Sequence, residues 1–98
     1  MNVRFEDDRL DSLETDPTFN GGYGRPVARA FRKVMNVIRS ATDERDIREM
    51  KSLRMEKLKG DRSGQISLRI NEQWRLIIRI EPGHPKNTVL VVGMEDYH

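Results

Sequence analysis

Apolar and polar residues alternate most regularly in the second half of the chain. Ile66, Leu68 and Ile70 are interleaved with Ser67 and Arg69. Trp74, Leu76, Ile78 and Ile80 are interleaved with Arg75, Ile77 and Arg79. Two period-two runs with a polar break predict a half-buried β-hairpin. Both apolar sets share a face only if the loop holds an odd number of residues, most simply 71–73. Ile70 then opposes Trp74, Leu68 opposes Leu76, and on the other face Arg69 opposes Arg75. A slip of one residue would turn every side chain over, so the register is strongly specified. Like charges directly opposite destabilise a strand pair by up to ~1 kcal/mol. An anion shared by the two guanidiniums accounts for the pair, since arginine binds phosphate with planar, bidentate geometry.

The period changes upstream. Val27, Phe31, Val34 and Ile38, joined by Ala30, Val37 and Ala41, follow helical spacing, and Pro26 suits the first turn. Arg25, Arg29, Arg32, Lys33 and Arg39 fill the remaining positions and read as the wet face of a core helix. Before it, residues 2–5 form a short edge strand. Asp7 or Asp8 caps a helix running to about Glu14, with Leu10 and Leu13 on one face, and 16–24 (DPTFNGGYG) is a loop. Thr42 or Asp43 caps a short third helix, with Glu44 and Asp46 favourable to its dipole. A strand over 53–58 directs Leu53 and Met55 to the core, and Arg54 and Glu56 toward the side of Arg69 and Arg75. A turn over 59–64 (KGDRSG) leads into the hairpin, and 81–87 is a loop. The apolar run 89–92 reads as an interior strand covered on both sides.

Helices followed by strands predict an α+β fold, with helices packed on one face of a small, mainly antiparallel sheet. At 98 residues the chain is expected to be one domain, 1–98. The helices cover the Leu68 and Trp74 face. The face of Glu56, Arg69, Arg75 and Arg79 stays open and is the natural place for a ligand.

Charge sharpens this picture. Residues 1–24 carry two arginines against six acids, whereas 25–98 carry 16 Lys and Arg against ten acids. A basic body is an electrostatic footprint for nucleic acid, although a merely solvated, highly charged surface has the same composition. Cysteine is absent, excluding disulfides and thiolate metal sites, and no histidine cluster offers a metal site. No cofactor is expected. The N-terminus lacks a signal-peptide apolar segment and no run is long enough to cross a bilayer, so a cytoplasmic location is expected.

The segments LKGDR, QWRLIIRI and the terminal EDYH resemble the RelE superfamily of type II toxins, and most closely its HigB branch. That resemblance implies a compact α+β toxin that enters the ribosomal A site and cuts mRNA, inhibiting translation. It also implies a HigA-like antitoxin, a helix-turn-helix protein that contacts operator DNA on the toxin's behalf. HigB proteins commonly carry histidine where this chain has Glu56. The YoeB branch uses glutamate there as general base, with an arginine and a C-terminal histidine that correspond to Arg75 and His98. The expected catalytic set is therefore Glu56 as base, His98 as acid, and Lys59, Arg69 and Arg75 as a charge clamp. Arg79, Asp96 and Tyr97 are expected to contact RNA, Tyr97 by stacking. The carboxylate of Asp96 and the terminal carboxylate favour a protonated His98. Cleavage by 2′-OH attack, without a metal, would leave a 2′,3′-cyclic phosphate. Two alternatives stand beside this one. One is a ParE-like toxin that binds gyrase without cutting RNA, and the other a catalytically silent RNA-binding module.

Overall fold

The computed structural model describes residues 1–96. Strand β1 (Asn2–Phe5) leads into helices α1 (Asp8–Thr15), α2 (Arg25–Ser40) and α3 (Glu44–Glu49). Strands β2 (Glu56–Lys57), β3 (Ile66–Arg69), β4 (Trp74–Glu81) and β5 (Thr88–Asp96) follow. The sheet order is β1-β5-β4-β3-β2. Only β1 runs parallel to its neighbour, β5. The β2–β3, β3–β4 and β4–β5 pairs are antiparallel. The fold is α+β, as the order of periodicities requires.

The hairpin register is the one that parity dictates. Leu68 opposes Leu76 and Arg69 opposes Arg75. Asn71 builds the loop: its side-chain oxygen accepts from the amides of Gln73 (2.8 Å) and Trp74 (2.7 Å), an Asx-type turn. Ile70 N–H closes the loop on Trp74 C=O at 2.9 Å. Leu68, Leu76, Ile78, Val89 and Val91 are fully buried beneath the helices.

Local chemistry explains the helix boundaries. Asp7 caps α1 by accepting from Arg9 N–H, and Asp43, not Thr42, caps α3 by accepting from Arg45 N–H. Hydrogen bonds from the Arg45 side chain and backbone hold the Asp43 carboxyl below the ordinary carboxylate range. The cap therefore favours the fold at neutral pH and is lost only as pH falls through that lowered value.

Four expectations are corrected. In α2 the seam against the sheet is Ala28, Phe31, Val34, Met35 and Ile38. Val27, Ala30 and Val37 lie to the side and stay half-buried. The apolar stripe is wider than the surface it covers, so its flank at 27, 30 and 37 is left to one side. The strand over 53–58 shrinks to two residues, because 51–53 forms a 3₁₀ turn and Arg54 adopts a left-handed backbone (φ 44°). Leu53 is still buried, and Met55 packs against the core. The interior strand β5 runs on to Asp96, and Val89 and Val91 are buried while Leu90 and Val92 are only half-covered. A bulge falls here, since Ile77 opposes Gly93 but Ile78 opposes Val91, leaving Val92 as the extra residue. Finally, Trp74 is half-buried at the core's edge, with Tyr23 edge-to-face against it (centroids 5.1 Å, 88°).

Arg32 departs from the wet-face reading as well. Its Nε donates to Leu13 C=O (2.9 Å), and its Nη2 donates to Asp16 C=O (3.1 Å) and Phe19 C=O (2.8 Å). It thereby ties the 16–24 loop to α2. Arg32→Met keeps the stem but removes three charge-assisted bonds. It is expected to cost about 2 kcal/mol, since such bonds are worth ~1.5–3 kcal/mol each and the freed carbonyls are partly wet. Thermal denaturation should show a Tm lower by roughly 10 °C.

Candidate active site on the open sheet face

The open face carries two rows of register partners. In one row Glu56 opposes Ser67, Ser67 opposes Ile77, and Ile77 opposes Gly93. In the next, Arg69 opposes Arg75 and Arg75 opposes Glu95. Between the rows lies a hollow of about 170 Å³. Leu58, Ser67 and Ile77 supply its floor. Its charges come from Glu56, Arg62, Arg75, Glu95 and Asp96.

Each charge is held differently. Arg75 stands near the start of β4, half-buried, with Nη1 fully covered. Glu95 beside it offsets part of the Arg69–Arg75 repulsion. Arg62 reaches over from the turn after β2: its Nη1 and Nη2 donate to Glu95 at 2.8 and 2.5 Å, and its Nε donates to Gln65 Oε1 at 3.0 Å. The hydrogen bond with Glu95 raises the affinity of the Arg62 guanidinium for its proton. Asp96 Oδ2 accepts from Gln73 Nε2 at 3.1 Å. Glu56 is exposed on the short edge strand and, among the described residues, enters no ion pair within 4 Å. The reading of Glu56 as a surface partner of Arg54 or Arg75 is therefore not the one this geometry adopts.

Of the residues singled out from the sequence, the hollow gathers Glu56, Arg75 and Asp96. Arg69 is opposite Arg75 in register, but its Nε donates to Asn71 C=O (3.3 Å) and the residue lines a different groove. Lys59 is exposed just before the 60–62 turn and does not line the hollow. Arg79 lies on the same face one row away, opposite Leu90, with its guanidinium against the turn at Gly64. Gly64 has φ 92°, a backbone conformation that favours glycine, and the Arg79 guanidinium lies against its open side. Tyr97 and His98 lie outside the described residues. The residues that sequence reasoning misses are Arg62 and Glu95. Arg62 reads as a turn-closing residue, and Glu95 lies beyond the predicted end of β5. Extending the strand by its alternation (Gly93, Glu95) would place Glu95 beside Arg75.

A larger hollow, about 620 Å³, lies elsewhere, between the 16–24 loop and α2. Arg25, Arg29, Arg32 and Lys33 line it, with no carboxylate or histidine. It is equipped to attract an anion, but lacks a group to move a proton.

The architecture is that of a RelE-type toxin. A YoeB/ParE toxin from Agrobacterium tumefaciens shares the fold, with a TM-score of 0.59 and 21% identity over the whole of both chains. The model of the family described as the RelE-like toxin of type II toxin-antitoxin system HigB matches residues 3–98, and the chain belongs to that family. Toxin HigB-1 of Vibrio cholerae serotype O1 (strain ATCC 39315 / El Tor Inaba N16961) is 29% identical over 90 residues, 92% of this chain and 95% of that protein. The protein is thus a toxin of a type II toxin-antitoxin system, which implies a cognate antitoxin. Among the described residues, no helix is long and apolar enough to cross a membrane.

Proposed function

We propose that this toxin is an endoribonuclease that cuts mRNA in the ribosomal A site, with the open-face hollow as its active site. RNA breaks when a 2′-OH attacks the adjacent phosphorus and the 5′-oxygen departs. Glu56 takes the 2′-OH proton. Arg75 lies against the phosphorane and stabilises its developing negative charge, Arg62 borders the same hollow, and Arg69 joins them only by turning its guanidinium away from Asn71. Lys59 and Arg79 hold the flanking phosphates. His98, by resemblance to the superfamily, protonates the 5′-oxygen, Asp96 keeps it cationic, and Tyr97 stacks on a base. The observation that carries this reading is a carboxylate on the rim of the hollow that Arg75 lines, one that enters no ion pair among the described residues.

The small volume of the hollow supports a dependence on the ribosome. A shallow site built on side chains at a sheet edge does not pre-align a floppy RNA, and the ribosome supplies that alignment. The test is primer extension on an mRNA being translated in a purified system, with and without the toxin. Discrete cuts within the reading frame support the proposal. Intact mRNA with broken DNA would transfer it to gyrase poisoning, and neither effect would leave a binding module.

The basic hollow beside α2 fits the same picture as an anchor on ribosomal RNA. Arg25→Glu with Arg29→Glu is expected to weaken ribosome association. It should lower the slope of log affinity against log salt by about 1.4–1.8, from ~0.7–0.9 for each phosphate no longer neutralised. Pelleting the toxin with ribosomes over a salt series reads this directly.

A further inference from the structure

The hollow of about 620 Å³ beside the 16–24 loop is more than a basic patch. Arg25, Arg29 and Lys33 stand at i, i+4 and i+8 of α2, a row about 12 Å long on one face of the helix. All three are exposed and, among the described residues, enter no ion pair. Among the described residues no carboxylate lines the hollow. The loop contributes chemistry of another kind, the half-buried ring of Phe19 and the amide of Asn20. Although irregular, the loop is firmly held. Asp16 Oδ1 accepts from Thr18 N–H (2.9 Å) and Oγ1 (2.7 Å), and Asn20 Oδ1 accepts from Gly22 N–H (3.0 Å). Arg32 donates to the carbonyls of Asp16 and Phe19. The aromatic wall is thus in place before any ligand arrives.

We infer that this hollow takes one unpaired nucleotide of ribosomal RNA, its base stacked on Phe19 and its phosphates held by Arg25, Arg29 and Lys33. The inference rests on the ribosomal anchor proposed above and names what that anchor holds. A row of cations alone would track any anionic backbone. An aromatic ring set among them adds a surface for a planar base, and stacking beside basic contacts is how unpaired nucleotides are held. The volume is that of a pocket for a small organic group and exceeds what a bare phosphate needs. A base inside a double helix is already paired and stacked, so only an unpaired one can enter. Asn20 engages its Oδ1 with Gly22, which leaves its Nδ2 to donate to an acceptor on the base edge. The first turn of α2 follows Gly24 without a capping side chain, so its N–H groups and the positive end of the helix dipole add to the phosphate site. An acidic peptide would satisfy the cations and leave the ring of Phe19 without a counterpart.

The experiment measures binding of toxin variants to purified small ribosomal subunits over a salt series. Phe19→Leu keeps an apolar side chain against the core and removes the stacking face. It is expected to raise Kd by about 5- to 30-fold, the scale of one stacked base, with the salt slope unchanged. Phe19→Trp should bind within about threefold of wild type, since it keeps the stacking face. Circular dichroism should show both variants folded. Ultraviolet irradiation of the wild-type complex should join Phe19 to a single unpaired nucleotide, read as one reverse-transcription stop. Wild-type affinity in Phe19→Leu, or an adduct on a paired nucleotide, would overturn the inference. So would tight binding of free adenosine or uridine monophosphate to the hollow, which would make the ligand a free effector. Arg25→Glu with Arg29→Glu reads the anchor separately. If that double variant changes neither Kd nor slope, the anchor fails and the nucleotide with it. If it weakens binding while Phe19→Leu does not, the nucleotide is lost and the anchor stands.

Discussion

Arg75→Ala is expected to slow ribosome-dependent mRNA cleavage by about 10²–10³-fold, the typical cost of removing one preorganised donor to an oxyanion. Several features concentrate the effect on this residue. Arg75 lies on a central strand rather than a loop, between β3 and β5. Its guanidinium is partly withdrawn from water, where a charge acts more strongly on a developing anion than at the surface. It borders the hollow together with Glu56, whereas Arg69 faces another groove and Lys59 stands clear. Arg75→Lys should recover only part of the rate, because a single ammonium cannot reproduce a planar fork. Single-turnover cleavage of programmed ribosomes separates this loss from weaker binding. A rate unchanged in both variants would mean that the phosphate is stabilised elsewhere.

Glu56→Gln should cost as much or more, about 10²–10⁴-fold in cleavage rate, the usual contribution of a positioned general base. Its stability should change by less than about 0.5 kcal/mol, as for other exposed surface positions. Both expectations come from one arrangement. The carboxylate is exposed, enters no ion pair among the described residues, and stands on a two-residue edge strand opposite buried Ser67. A group that stabilised the fold would be paired or covered. Thermal denaturation and cleavage measured on one preparation of the variant distinguish the roles. A lower Tm with full cleavage would make Glu56 structural and move the base elsewhere.

The Arg62–Glu95 pair changes how substrate entry is understood. Both residues border the hollow and neutralise one another. An entering phosphodiester competes with Glu95 for Arg62. Both side chains are substantially exposed, where an ion pair is worth only ~0–1 kcal/mol, so the exchange costs little.

Most of the fold is legible in the sequence because strand parity is a strong constraint. Once Leu68 and Leu76 share a face, Arg69 and Arg75 must stand opposite each other, and they do. Helix α1 is legible through Asp7 and Leu10, and α3 through Asp43. Where reading fails, local preference meets a tertiary choice. Nothing in the α2 sequence says which part of its wide apolar stripe the sheet will take, and the flank of Ala30 and Val37 stays half-buried. Nothing around Arg54 announces a left-handed residue, so periodicity makes β2 three times too long. The site is legible by type and less so by direction. Register puts a Cα on a face, but the guanidinium at its end is free to turn, as that of Arg69 does toward Asn71. Arg62 and Glu95 escape notice because each draws its role from the other, 33 positions away.

The most direct measurement is the chemistry of the RNA ends made by purified toxin on actively translating ribosomes. Attack by the neighbouring hydroxyl requires the upstream fragment to end in a 2′,3′-cyclic phosphate. That end resists phosphatase until acid opens the ring, and it should be absent when the same mRNA is offered without ribosomes. A free 3′-hydroxyl on that fragment, or equal cutting of naked mRNA, would contradict the account.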